Sequence, residues 1–128
     1  MKRAIFILCL AVSALPARAG LWEAVCRVES NGNPLAVGDG GRAAGIAQIW
    51  AITVRDVNRF AGTRYTLNDR FNVEKSRAIF QLYVNYYGKG KSDEVKARIW
   101  NGGPNAMKAT GQKLINLNRY WAKIKKHL

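Results

Sequence analysis

LWEAVCRVESNGNPLAVGDGGRAAGIAQ, residues 21–48, is the stretch whose reading decides the fold. Leu21, Trp22, Val25, Cys26 and Val28 recur at helical spacing, which predicts a short amphipathic helix over 21–30. The same spacing puts Trp22, Val25, Cys26 and Glu29 on one stripe. Between 31 and 45 lie five glycines, two asparagines and Pro34, the composition of a loop. Within it Leu35-Ala36-Val37 can form a short strand with Asp39-Gly40-Gly41 as its turn, so a small hairpin or an irregular loop is expected. Glu29 closes the helix and admits two readings. On the buried stripe, and next to the negative end of the helix dipole, its carboxyl would be pushed toward the neutral form and so toward general-acid chemistry. At the edge of the stripe it would reach water like most helical glutamates.

Working outward, the start of the chain is of a different kind. Lys2 and Arg3 precede an apolar run over 4–15, then Pro16 and Ala17-Arg18-Ala19. This pattern predicts a secretory signal peptide over 1–19 with an A-x-A cleavage site, too short to span a bilayer. Cys9 lies inside the apolar run behind Leu8, which argues against a lipid anchor there. Cleavage after Ala19 leaves residues 20–128, one domain with one core, expected to be secreted or periplasmic, monomeric and without stable membrane insertion.

The full chain carries 21 Lys and Arg against 8 Asp and Glu, a formal charge of +13. Losing Lys2, Arg3 and Arg18 leaves +10. Such a surface favours polyanions, and export favours a bacterial wall or cell surface over any specific nucleic acid. After cleavage Cys26 is the only cysteine, so an intramolecular disulfide is excluded and a buried thiol expected. The lone histidine, His127, is next to the last residue. That leaves neither a base for a cysteine nucleophile nor the ligands of a zinc site; no metal or cofactor is expected.

Four further helices are read over 46–61, 73–87, 93–100 and 112–127. The second has an apolar face of Ile46, Ile49, Trp50, Val54, Val57 and Phe60, and Gly62 caps it. The third is apolar on more than one face and is therefore the central helix, with Asn72 as N-cap. The fourth starts at Ser92 with Asp93 and Glu94 in its first turn and breaks at Asn101-Gly102-Gly103-Pro104. The last has Leu114, Leu117, Trp121 and Ile124 as its inward stripe and a basic outer face, read as solvated. Asp56, Asp69, Glu74, Asp93 and Glu94 read as helix-surface or cap residues. Five helices with one small hairpin or loop region make a mostly helical α+β domain.

Four segments in order carry a family pattern: Glu29-Ser30-Asn31-Gly32-Asn33-Pro34, Gly45-Ile46-Ala47-Gln48, Ile99-Trp100-Asn101-Gly102-Gly103-Pro104 and Tyr120-Trp121-Ala122-Lys123-Ile124. They resemble the ES, GLMQ, AYNAG and terminal tyrosine motifs of the soluble lytic transglycosylase and goose-type lysozyme group, within the lysozyme-like superfamily. The end of the chain is also similar to invertebrate-type lysozymes. The likeness covers nearly all of the chain after the leader. It departs from the pattern at Ile46-Ala47 for Leu-Met, at Trp100 for tyrosine and at Gly102 for alanine; the invertebrate enzymes are also rich in disulfides, which this chain cannot form.

The resemblance implies a lysozyme-like catalytic domain over 20–128 that acts on peptidoglycan glycan strands, between N-acetylmuramic acid and N-acetylglucosamine. It implies that Glu29 protonates the glycosidic oxygen, that Ser30 contacts the sugar, that Gln48 and Asn101 shape the cleft, and that Tyr120 lies beside Glu29. Sugar rings present apolar faces, so Trp100 and Tyr120 are read as site residues, while Trp50 and Trp121 are read as core. Asp39 is either a second, assisting carboxylate, as in a hydrolytic lysozyme, or part of an ordinary Asp-Gly-Gly turn. With a single acid the chemistry is that of a lytic transglycosylase. A reading from another class is a cationic wall- or nucleic-acid-binding protein without catalysis, resting on charge alone.

Overall fold

The computed structural model describes residues 19–128, so the expected leader lies outside the described residues except for Ala19. Helix α1 (Leu21–Ser30) is followed by a three-stranded antiparallel sheet of two-residue strands. These are β1 (Val37–Gly38), β2 (Ala43–Ala44) and β3 (Ile49–Trp50). Four helices complete the domain: α2 (Ala51–Ala61), α3 (Val73–Gly88), α4 (Asp93–Gly102) and α5 (Gly111–Lys125). A mostly helical α+β fold is what the sequence leads one to expect.

Helix α3 is the centre. It packs on α2 and α4, and α5 in turn closes over α1 and α4. Its buried residues include Ile79, Phe80, Tyr83 and Val84. An aromatic chain runs through it: Trp22 against Phe80, Phe80 and Tyr83 edge-on to Trp100, Tyr83 to Tyr87, and Tyr87 to Phe60. Each such pair contributes about 0.5–1.5 kcal/mol beyond its buried area, which suits a chain lacking a disulfide. The caps are those the sequence suggests. Asn72 accepts from the Lys75 N–H at 2.9 Å and Ser92 from the Val95 N–H at 3.3 Å.

Two readings are corrected. The helix expected over 46–61 begins only at Ala51, because 46–50 is a turn and the strand β3. Gln48 takes φ 53° and its N–H bonds back to the Gly45 carbonyl at 3.1 Å, so Ile49 and Trp50 leave the turn extended and pair with Ala44 and Ala43. Apolar residues at 46, 49 and 50 mimic a helical face that the backbone does not form. On α5 the inward stripe is Leu117, Tyr120 and Ile124; Leu114 is exposed and Trp121 half-buried.

A clasp from outside locks the sheet. Arg70, in the short 3-10 turn Leu67–Phe71, donates from Nη1 to the carbonyls of Arg42 (3.1 Å) and Ile49 (3.0 Å). Its own carbonyl accepts from the buried Ser76 hydroxyl at 2.8 Å and lies against Gly45. A Cβ at Gly45 would stand 1.7 Å from that backbone oxygen, and φ there is +81°. Gly45→Ala is therefore expected to cost about 3 kcal/mol or more, read as a drop in the urea midpoint. A loss under about 1 kcal/mol would mean that the clasp is loose.

Candidate active site

Helix α1 carries Glu29 to its last turn and stops there because Asn31 turns left-handed (φ 53°), with its N–H bonded to the Arg27 carbonyl. The apolar face beneath is buried at Trp22, Val25 and Cys26, so Glu29 is half-buried at the rim of the core. It lines a cavity of about 160 Å³ with Asp39, Gln48, Trp50, Trp100 and Asn101. A hollow of about 790 Å³ between α2 and α3, around Phe60, Leu82 and Tyr86, is larger but contains no acid.

Burial pushes the Glu29 carboxyl up to about 7. The Tyr120 hydroxyl pulls it down, the charge of Asp39 adds to the rise, and Lys123 lowers it. At neutral pH the group is thus divided between its protonated and ionised forms. Such a carboxyl can give a proton and later take one back. Of the two readings of Glu29, the structure holds the buried one.

Each residue singled out in the sequence has a definite place. Asp39 is exposed at the rim, with φ 51° in the turn between β1 and β2. Gln48 faces the cavity, but its amide donates to the carbonyls of Ala36 (3.2 Å) and Gly45 (3.0 Å). It fastens the loop and leaves its Oε1 free to accept. Ser30 is outside the lining: its hydroxyl donates to the Ile46 carbonyl at 2.7 Å and accepts from the Asn33 N–H at 3.1 Å. Trp100 divides itself between the aromatic chain and the cavity, and Asn101 is exposed beside it.

Tyr120 is buried behind Glu29 rather than in the lining. Its hydroxyl lies near enough to act on the Glu29 proton yet lacks a hydrogen bond of good geometry. Burial, and then the nearby Glu29 charge, raise the Tyr120 pKa well above the ordinary value, so it stays a neutral donor. Trp50, read as core, is instead an exposed wall of the cavity; its place in β3 rather than on a helix face accounts for the difference. Arg70 was not singled out at all, since nothing in the spacing links it to backbone carbonyls two dozen residues away. Cys26 is buried, and desolvation with the charges of Glu23 and Glu29 pushes its thiol up to about 12, which keeps it inert. Among the described residues no group of three or more His, Cys, Asp or Glu could hold a metal.

A comparison with family models matches residues 17–118 to the transglycosylase SLT domain. The chain belongs to this family. Its members are lytic transglycosylases that cleave glycosidic bonds in peptidoglycan, and this chain is such an enzyme, acting on a polymer outside the cytoplasm. The matched segment contains every lining residue of the cavity; Tyr120 lies beyond it. No curated protein and no solved structure matches the chain. The match is to the transglycosylases and does not bear on the likeness to invertebrate-type lysozymes. Among the described residues no helix of the transglycosylase is long and apolar enough to cross a membrane.

The raised Glu29 pKa has a consequence for stability. The folded value of about 7 lies above the ordinary 4.5, so folding favours the protonated form. That preference is in full effect below 4.5 and is lost as the pH rises through about 7. Glu29→Gln, always neutral, should leave stability near pH 4 almost unchanged and raise it near pH 8 by up to about 3 kcal/mol, read from denaturation midpoints at the two pH values. Equal effects at both would mean that the carboxyl is not desolvated. Tyr120→Phe should move the Glu29 titration, followed by carboxyl NMR, to higher pH, because the hydroxyl that lowers it is gone.

Proposed function

We propose that the enzyme cleaves the β-1,4 bond between N-acetylmuramic acid and N-acetylglucosamine with Glu29 as its only catalytic acid and base. The observation that carries this reading is the half-buried carboxyl at the head of the cavity, held near neutral pKa by burial. Protonated Glu29 gives its proton to the glycosidic oxygen as the bond to C1 breaks and positive charge develops on the muramic ring. The resulting carboxylate then takes the proton of that sugar's own C6 hydroxyl, whose oxygen closes on C1. The products are a 1,6-anhydro end and a free 4-hydroxyl, with no water consumed and Glu29 protonated again. Trp50 and Trp100 offer apolar faces for the rings, and Asn101 and the free Oε1 of Gln48 offer polar contacts. Export through the leader over 1–19 would bring the enzyme to the wall as a monomer.

Asp39 supports one alternative, because it lines the same cavity and its charge reaches Glu29. As an assisting carboxylate it would stabilise the ring cation while water attacks, giving a reducing end. The two chemistries separate by the mass of muropeptides released from purified peptidoglycan: anhydro ends are expected, and reducing ends would establish the hydrolytic version. Glu29→Gln should lower kcat by about a thousandfold or more while the protein still sediments with the wall. Asp39→Asn should stay within about tenfold of the parent. For the parent, kcat/KM should fall as the pH rises through about 7, since the free enzyme must start with Glu29 protonated. Unchanged turnover in Glu29→Gln would take the acid's role away from Glu29, and no turnover in the parent would reduce the protein to a cationic binder.

A further inference from the structure

Trp50 is the wall of two hollows. One is the cavity of Glu29; the other, of about 480 Å³, has Arg42, Arg55 and Arg70 in its lining together with Ile52 and Leu67. No acid lines this second hollow. Elsewhere four of the acids are in use, with Asp56 on Arg59, Asp69 on Lys75, Glu23 by Arg77 and Glu94 on Arg98. Arg42 and Arg55 have no carboxylate partner among the described residues, and Arg42 sits with its guanidinium 5.9 Å from the Trp50 ring centre. Arg70 spends Nε and Nη1 on backbone carbonyls, and its Nη2 bonds to no protein atom. Three guanidinium groups around one hollow repel one another unless an anion joins them.

On a stem-bearing strand the sugars are neutral, because the lactyl carboxyl is tied up in the amide to the stem, so they do not explain this charge. The anionic groups that travel with the strand are the carboxylates of the peptide stem on the muramic lactyl group. We propose that the hollow beyond Trp50 receives the acidic peptide stem of a sugar neighbouring the one at Glu29, with Arg55 and Arg42 gripping its carboxylates. The proposal rests on the peptidoglycan reading above and adds a specificity to it: the enzyme selects strands with acidic stems over strands whose stems are neutralised. Guanidinium groups suit the task because they meet a carboxylate in a planar two-point fork. Ile52 and Leu67 are 63% and 48% exposed and give the stem's alkyl side chains an apolar surface.

Two measurements test it. In the first, the free stem peptide is titrated into isotope-labelled enzyme beside the same peptide with its carboxylates amidated. The acid form should shift the amides of Arg42, Trp50, Ile52 and Arg55, less so at high salt, and the amidated form should not. Arg55→Gln, an exposed change on α2, should abolish the shifts. No shifts, or shifts confined to the lysines of α5, would overturn the proposal whatever the enzyme cleaves. In the second, stem-bearing strands are compared as substrates with strands whose stem carboxylates are amidated. Arg55→Gln should raise KM on strands with acidic stems about three- to tenfold at unchanged kcat and leave the amidated strands unaffected. Equal effects on both strands, or no preference in the parent, would overturn the stem site while leaving the cleavage reading intact. Failure of the parent to cut either strand would sink the cleavage reading, with the peptide titration still deciding the hollow.

Discussion

Keeping the Glu29 carboxyl half out of water at the end of α1 works against folding whenever the group is ionised, and the surrounding structure is arranged to bear that load. Trp22, Val25 and Cys26 seat the helix on the core and bring the carboxyl to its rim. The dipole of α1 points its negative end at the same group. Only Lys123, on α5, and the Tyr120 hydroxyl act to favour the ionised form. The balance rests near neutrality because those two offset part of the desolvation. A glutamate with two close cations would be an ordinary ion pair with no proton to give.

The second constraint is on the loop that brings the rest of the cavity to Glu29. Asn31, Asp39 and Gln48 are the non-glycine residues with left-handed backbone among the described residues, and all three fall between α1 and α2. Each costs on the order of 1 kcal/mol, less for asparagine and aspartate. The loop holds this strain because its carbonyls are captured one by one. Ser30 takes that of Ile46, Gln48 those of Ala36 and Gly45, and Arg70 those of Arg42 and Ile49. Two-residue strands could not hold such a loop by themselves. Ser30 and Gln48, next to the chemistry in sequence, thus serve it by fixing backbone.

Much of this was legible in the residues. Helix α1, its acid and its loop follow from the apolar spacing of 21–30 and the glycines after it. The central place of α3 follows from apolar residues that lie on more than one of its faces. The start of α2 was not legible, because a turn carrying Ile46, Ile49 and Trp50 has the same spacing as a helical face. What keeps the helix from starting sooner is the side-chain chemistry of Gln48 acting on carbonyls up to twelve residues away, and a period cannot carry that information. Trp50 was misplaced for the same reason. Tyr120 is legible through its motif, but its burial depends on how α5 rotates, which the corrected stripe of Leu117, Tyr120 and Ile124 fixes.

The departures from the family pattern have a common physical sense. Ala47 is fully buried where methionine is usual, and Gly102 has no room for the usual alanine methyl, since Leu117 Cδ2 would lie 2.8 Å from it. Trp100 stands for a tyrosine and fills the angle between Phe80, Tyr83 and the cavity. Of the four departures two are smaller, one is larger and Ile46 keeps the volume of leucine, and all but Trp100 are outside the cavity lining. The hydrogen-bonding groups that face the cavity, at Glu29, Gln48 and Asn101, keep the family's residue types. A core can be repacked at roughly constant volume with modest loss, whereas a displaced proton donor cannot be compensated from elsewhere. Trp100 alone belongs to both sets, which makes it the point where changes in the core reach the substrate.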